Sequence, residues 1–346
     1  MRTMRSAGRW FRGVRRAAVP LAAIAAALGI AFAAPLPAAH AAPPLDVPSC
    51  ASGVAQPTDF ATDVPVSIPN AAPAPAVTAR NAVVIDGDTG RVLYGLAEHE
   101  RRAPASTTKI MTAILAIEHG DLGRTVISDV DGRTMTDSSI MGLRIGVTIT
   151  IEDLLYGLML PSGNDAALVL AENTSGSVPA FVDAMNQKAA ALGLKDTHFV
   201  NPHGLDNPDH YSSAYDLAWM ARYGMNIPEF AKIVGTQYWH LAPPSDYDLH
   251  NGNSLLATYP GADGVKIGWT DNAGWTFVAS AVRDGHRLFV AVLDTQDRDA
   301  DATALLDWAF GNFRWLGLGS KTVGQVQLAE RLGLGTALFR TITVCA

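Results

Sequence analysis

The sequence predicts an α+β fold in which helices pack an antiparallel sheet and form a helical subdomain. Short apolar runs with strand-like patterns stand near both ends of residues 78–317. The region between them, from about 127 to 233, has mostly helical periodicity. Strands that are separated by helices can share one sheet, and we therefore expect a five-stranded antiparallel sheet with helices against it.

Turn residues separate the predicted strands. The strands are residues 82–85, 91–94, 265–269, 275–282 and 287–293. The connections at 86–90 and 283–286 contain Asp-Gly pairs, which favour hairpin turns. A last helix is predicted over residues 300–315, with apolar positions that include Leu305, Leu306 and Phe310.

A serine and a lysine stand at the start of one predicted helix. After Lys109, apolar residues recur at helical spacing until Gly120, where a helix would end. Ser106 and Lys109 are three residues apart and therefore share a face of the first turn. A lysine near apolar or cationic groups releases its proton more readily and can then deprotonate a serine hydroxyl. The pair predicts a nucleophile and its base.

Two further motifs follow in order along the chain. Thr150 is predicted to cap a helix that Pro161 ends, which places Ser162-Gly163-Asn164 in a tight connection before a helix at 166–171. Lys266-Ile267-Gly268 lies in a predicted strand. Each motif alone is common, whereas Ser-x-x-Lys, Ser-x-Asn and Lys-x-Gly in this order are typical of the penicillin-interacting serine acyltransferases.

The N-terminal segment of the sequence indicates export. Residues 1–41 combine six arginines, an apolar run and Ala39-His40-Ala41, which is typical of a cleaved signal peptide; an uncleaved anchor is the alternative. Cleavage would change the formal net charge from −7 to −13, which argues against nucleic acid as a partner. Membrane contact is expected only if the segment is uncleaved.

Cys50 and Cys345 fit either a disulfide or two unpaired cysteines.

Composition sets the remaining domain limits. Residues 42–77 are rich in Pro and Ala without sustained periodicity, which predicts a linker. The folded domain is predicted at 78–317, and residues 318–346 form a short C-terminal tail.

The chain resembles the serine-type D-alanyl-D-alanine carboxypeptidases among the low-molecular-mass penicillin-binding proteins over about residues 78–317. Besides the three motifs, residues 197–205 (Thr-His-Phe-Val-Asn-Pro-His-Gly-Leu), 273–275 and 305–310 are similar to family segments. The resemblance implies a β-lactamase/transpeptidase-like fold and removal of the terminal D-alanine from peptidoglycan stem peptides. It also implies β-lactams as covalent inhibitors, and neither cofactor nor metal.

The resemblance implies roles for the motif residues. Ser106 would be the acylated nucleophile, Lys109 its base and Ser162 a proton relay towards the leaving amine. Asn164 would hold the substrate amide.

The strand and the last helix would supply the remaining substrate contacts. Lys266 would attract the terminal carboxylate, with Arg298 assisting it, and Gly268 would let the substrate backbone approach. The backbone N–H groups of Ser106 and Trp269 would form the oxyanion hole.

One departure from the family pattern keeps other functions open. Ile267 replaces the usual threonine and has no hydroxyl to offer a carboxylate, so a non-catalytic penicillin-binding sensor or scaffold is an alternative. A β-lactamase is less favoured because no Glu-x-x-Leu-Asn segment lies between Ser162 and Lys266. A zinc peptidase is disfavoured because His198, His203 and His210 lack metal-ligand spacing.

Overall fold

A five-stranded antiparallel sheet forms the central layer of the computed structural model, which describes residues 63–136, 138–243 and 245–317. The strands are β1 Val64–Ser67, β2 Asn81–Asp86, β3 Val92–Leu96, β4 Thr125–Ile127, β5 Thr148–Thr150, β6 Tyr238–Leu241, β7 Tyr247–His250, β8 Ala262–Thr270, β9 Gly274–Arg283, β10 His286–Thr295 and β11 Phe313–Leu316. In the main sheet the order is β3-β2-β10-β9-β8, which leaves β8 at an edge. All five predicted sheet strands are confirmed.

Helices cover both faces of this sheet. They are α1 Lys109–His119, α2 Ile151–Met159, α3 Asn164–Ser175, α4 Val178–Ala191, α5 Ala214–Gly224, α6 Pro228–Val234, α7 Leu255–Thr258 and α8 Arg298–Asn312. Alternate residues of β2 belong to two separate apolar cores: Val83 and Ile85 to the larger one, Ala82 and Val84 to the smaller one. The larger core contains α1 to α6, and the smaller contains α8.

Helix α1 lies at the centre of the larger core. It contacts α2 to α6 and β8, and Ile110, Met111 and Ile114 are fully buried. The helix ends at Gly120, whose φ of 84° suits glycine. Both the predicted helix and its end are therefore confirmed, and the helix holds the Ser106 region against the edge strand β8.

The Thr150 cap predicted for the second helix is also confirmed. The Thr150 hydroxyl accepts a hydrogen bond from the Asp153 N–H at 3.0 Å at the start of α2. The following helix begins at Asn164, two residues before the predicted start.

The prediction of the last helix, residues 300–315, was wrong at its C-terminal end. Helix α8 stops at Asn312, and Phe313–Leu316 instead forms β11, which pairs antiparallel with β1. Strand β1 lies inside residues 42–77, so the linker prediction is wrong for Val64–Ser67. Pro65 within β1 lacks an N–H, and its partner Trp315 is distant in sequence, so local patterns could not reveal the pairing.

Several predictions concern residues outside the described ranges. These are the signal segment 1–41, the tail 318–346 and the two cysteines. Within residues 63–136, 138–243 and 245–317, no helix has the length and apolar character needed to cross a membrane. The signal segment, the limits of the tail and the domain boundary at 317 stay predictions.

Candidate active site

Ser106 lies in a 3-10 turn, Ala105–Thr108, that leads directly into α1. Ala105 has a φ of 49°, a left-handed conformation that is uncommon for a residue with a side chain. The Pro104 carbonyl accepts hydrogen bonds from the hydroxyls of Thr107 at 2.6 Å and Thr276 at 3.0 Å. These bonds attach the turn to β9 and fix the position of the serine.

The Lys109 side chain is fully buried and contacts three oxygen atoms. Its Nζ lies 2.9 Å from Ser106 Oγ, 2.6 Å from Asn164 Oδ1 and 2.7 Å from the carbonyl oxygen of His203. Burial lowers the pKa of Lys109 well below its ordinary value, and the nearby charge of Lys266 lowers it further, against an opposing contribution from Asp165.

A neutral Lys109 amine matches these three neighbours. The Asn164 Oδ1 and the His203 carbonyl can only accept, so each takes one of the two N–H bonds of a neutral amine. The remaining lone pair is then available to the Ser106 hydroxyl at 2.9 Å. The arrangement can therefore remove the hydroxyl proton and generate a nucleophile.

The second motif forms the connection between α2 and α3. Ser162 has a φ of 69°, and the next N–H, that of Gly163, donates to the Gly157 carbonyl at 2.9 Å. The Ser162 Oγ is buried and has no hydrogen-bond partner among the described residues. A left-handed serine with an unpaired hydroxyl costs stability, and such features concentrate at functional sites.

Asn164 is held at both ends of its amide. Its Oδ1 accepts from Lys109, and its Nδ2 donates to Ser138 Oγ at 2.6 Å. The Asn164 backbone N–H donates to the Ser139 carbonyl at 2.8 Å. Asn164 therefore orients the lysine and attaches the 138–139 loop to the start of α3.

The third motif lies on the edge strand β8. A Cβ atom on Gly268 would lie 2.7 Å from the Ser106 backbone nitrogen and 2.5 Å from Thr276 Oγ1, so only glycine lets β8 approach the serine this closely. Lys266 is buried, and its Nζ donates to the Ile267 carbonyl at 3.0 Å. Burial and the charge of Arg298 lower the pKa of Lys266 to about 7.

Arg298 begins α8 and reaches the same region. Its Nε donates to Asp299 Oδ1 at 3.1 Å and its Nη2 to the Gly252 carbonyl at 3.3 Å. The guanidinium carbon lies 4.5 Å from the centroid of the Trp275 ring. The buried Nη1 has no partner among the described residues, so the guanidinium retains a donor for an anion.

Two cavities meet at Ser106. One, of about 430 Å³, is lined by Ser106, Ser139, Leu160, Pro161, Ser162, His250, Gly252, Ile267, Gly268, Trp269, Trp275 and Arg298. The other, of about 520 Å³, is lined by Ser106, Ser138, Ser139, Asn164, Gly204, Leu205, Asp206, Trp269, Thr270 and Asp271. Lys109 is hydrogen-bonded beneath this cleft and interacts with the charge of Lys266. The structure thus brings together all eight residues that the sequence predicted.

Family comparison agrees with this geometry. Residues 68–297 match the family Peptidase S11, described as D-alanyl-D-alanine carboxypeptidase. The chain belongs to this family. The D-alanyl-D-alanine carboxypeptidase DacF of Bacillus subtilis is 42% identical over 245 residues, covering 68% of this chain and 63% of the relative. DacB2 of Mycobacterium tuberculosis is 38% identical over 259 residues, covering 72% and 88%.

The chain therefore spans less than two thirds of the Bacillus relative, and likewise 63% of DacA of Haemophilus influenzae, which is 35% identical. Among solved structures, the Streptomyces K15 DD-transpeptidase aligns with a TM-score of 0.66 at 32% identity, covering 69% of this chain and all of that one. The predicted family and fold class are confirmed.

Sequence reasoning missed Asp165, which follows the second motif. Its buried carboxylate accepts hydrogen bonds at 2.9 Å from the backbone N–H groups of Met141, Gly142 and Leu143, and at 3.0 Å from that of Ala166. Asp165 thus fixes the loop whose neighbouring residues line the cleft. Only its position beside Asn164 at a helix start could have indicated this role.

The histidines near the cleft make separate hydrogen bonds. His210 Nδ1 accepts from the Val200 N–H at 3.0 Å, so its Nε2 carries the proton and donates to Thr108 Oγ1 at 2.8 Å. Burial lowers the pKa of His210 to about 4, with a smaller contribution from His198. Burial, followed by the charges of Lys109 and His210, lowers the pKa of His203 to about 3. Both are neutral at pH 7 and support the loop around Lys109.

We expect Asp165→Asn to lower the free energy of unfolding by about 3 kcal/mol. The asparagine amide group would face backbone N–H donors that now share a carboxylate, which leaves buried donors unpaired. Chemical denaturation measures the change, and hydrogen exchange should accelerate at residues 141–143. Asp183→Asn, at an exposed position on α4, is the control and should change stability by less than about 0.5 kcal/mol. Equal stability of the two variants would contradict the role of Asp165.

Proposed function

We propose that this protein is a serine D,D-peptidase that removes the terminal D-alanine from peptidoglycan pentapeptide stems through an acyl-enzyme on Ser106. The observation that carries the proposal is the buried Lys109 amine, 2.9 Å from the Ser106 hydroxyl and held by two acceptor oxygens. Membership of the D-alanyl-D-alanine carboxypeptidase family supports the reaction class.

Acylation begins when Lys109 takes the proton of Ser106 and Oγ attacks the carbonyl carbon of the penultimate D-alanine. The negative charge on the carbonyl oxygen is stabilised by the backbone N–H groups of Ser106 and Trp269. Gly268 supports this arrangement because it lets β8 lie against the Ser106 backbone. The carbon–nitrogen bond then breaks, and D-alanine leaves.

Ser162 carries the proton to the leaving amine. Ser162 lines the same cavity as Ser106, and its buried Oγ has no partner among the described residues, which suits a hydroxyl that accepts one proton and donates another. Asn164 holds Lys109 and the substrate amide. Its Nδ2 donates one of its two N–H bonds to Ser138 Oγ, which leaves the other for the substrate carbonyl.

Positive charge in the cleft binds the terminal carboxylate. Arg298 lines the cavity and its guanidinium has an unpaired nitrogen, Nη1. Lys266 has a pKa of about 7, which rises when an anion binds beside it, so the lysine then adds a second positive charge. After D-alanine leaves, water attacks the acyl-enzyme and the Ser106 hydroxyl recovers its proton. β-Lactams form the same ester with Ser106 and inhibit the enzyme covalently.

The proposed place of action is the cell-wall space. The charged and apolar pattern of residues 1–41 supports export, and contact with the membrane follows only if this segment is retained. Peptidoglycan stem peptides are then the partners within reach.

Ser106→Ala should abolish both labelling by a fluorescent penicillin and release of D-alanine from a pentapeptide ending in D-Ala-D-Ala. Lys109→Ala should slow acylation by about a hundredfold or more, the scale for losing a positioned base. Lys232→Ala, at an exposed lysine on α6, is the matched control and should acylate normally. Labelling of the Ser106 variant would refute the nucleophile. Labelling of the native protein without D-alanine release would favour a penicillin-binding sensor.

Arg298→Ala should raise KM for the pentapeptide about tenfold while kcat falls less, because the substrate carboxylate loses a charged donor in both the ground and transition states. A pentapeptide with an amidated C-terminus should be insensitive to the change. Steady-state kinetics on both substrates measure this difference. Arg222→Ala is the control, because Arg222 also contacts a tryptophan, Trp219, but does not line the cleft. Equal losses on both substrates would show that Arg298 only supports the fold.

A further inference from the structure

The cavity of about 430 Å³ beside Ser106 combines a cation with apolar walls. We name it the leaving-group pocket; it is the cavity defined above by Ser106, Ser162, Ile267, Trp275 and Arg298 together with its other lining residues. Because Arg298 attracts the terminal carboxylate, the residue that is released during acylation must occupy this pocket.

The walls near Arg298 are more apolar than the bound carboxylate requires. Trp275 is 40% exposed although most large apolar side chains of the described residues are buried. Ile267 is half-buried, lines the same pocket, and replaces the hydroxyl residue of the family pattern. An exposed tryptophan beside an isoleucine gains free energy when apolar ligand atoms cover it.

The size of the pocket also exceeds what a methyl side chain needs. The cavity of about 430 Å³ is open to solvent and has room for a side chain larger than methyl. Part of it is taken by the scissile bond and the carboxylate. The methyl group of D-alanine leaves Trp275 and Ile267 largely uncovered.

We infer that the leaving-group pocket selects a C-terminal D-amino acid with a free carboxylate and an apolar side chain larger than methyl, such as D-leucine. This inference rests on the proposed function and specifies its substrate class. The carboxylate binds the Arg298 guanidinium, and the side chain packs against the Trp275 ring and the Ile267 side chain. The chemistry is unchanged: the bond to Ser106 Oγ forms, the carbon–nitrogen bond breaks, and the amine receives the proton through Ser162.

Trp275 belongs both to the part of the pocket that binds the carboxylate and to the part that contacts the apolar side chain. Its ring contacts the Arg298 guanidinium at 4.5 Å, while Gly252 binds that guanidinium and touches Ile267, whose Cδ1 would lie 2.7 Å from a Cβ on Gly252. The cation and both apolar walls are therefore neighbours in one pocket, so one ligand residue can contact all three.

The test compares kcat/KM for pentapeptides that end in D-Ala-D-Ala, D-Ala-D-Leu and D-Ala-D-Gln, measured by release of the terminal residue. We expect D-Leu to exceed D-Ala by about fivefold or more, since burial of one methylene alone is worth about fourfold. D-Gln, of similar size but polar, should show no such gain.

Two variants assign the preference to the pocket. Trp275→Ala and Ile267→Thr should each bring the D-Leu to D-Ala ratio close to one, and Ile267→Thr should also raise the rate on D-Ala-D-Ala because its hydroxyl can donate to the carboxylate. Trp219→Ala, in the Arg222 pair outside the cleft, is the control and should keep the native ratio.

The outcomes separate this inference from the proposed function. If the native protein cleaves D-Ala-D-Ala but D-Leu gives a ratio of one or less, the inference is wrong and the peptidase function stands. If none of the three peptides is cleaved, the proposed function itself fails. If the D-Leu preference persists in Ile267→Thr and in a folded Trp275→Ala variant, the preference does not arise from these walls.

Discussion

The buried amine of Lys109 is the interaction on which the rest of the site depends. A charged ammonium in this position would lose its hydration and face the second buried lysine, Lys266, so the site favours the neutral amine. A neutral amine has two donors, which Asn164 and the His203 carbonyl take, and one lone pair, which remains for Ser106. The same burial that costs stability therefore leaves the lone pair that the proposed function uses as a base.

Several separate elements of the fold must meet to place Ser106 and Asn164 beside the Lys109 amine. The turn that carries Ser106 lies against the edge strand β8 only because Gly268 has no side chain, and the Asn164 amide arrives at the start of α3. Ala105 and Ser162, which belong to the first two motif segments, both adopt left-handed backbone conformations. Such conformations persist where the surrounding packing fixes them, and the cores on both faces of the sheet supply that packing.

Local patterns in the sequence predicted the five sheet strands, the central helix and the three motifs, because each depends on neighbouring residues. Arg298 was located by the family resemblance and not by a local pattern. An arginine at a helix start does not by itself indicate the cavity that it lines. Asp165 was missed because its partners, around Met141, are distant in sequence. Strand Val64–Ser67 was missed for the same reason: its pairing with Phe313–Leu316 joins opposite ends of the domain.

A titration of the lysine side chains by NMR, with ¹³C label at the ε-carbon, tests the central claim most directly. The sequence contains few lysines, and Lys109→Arg and Lys266→Arg variants assign the two signals. The account predicts that Lys109 titrates well below the ordinary lysine pKa of 10.5 and that Lys266 titrates near 7. Titration of Lys109 near 10.5 in the native protein would contradict the account, because the amine would then be charged at neutral pH and have no lone pair for Ser106.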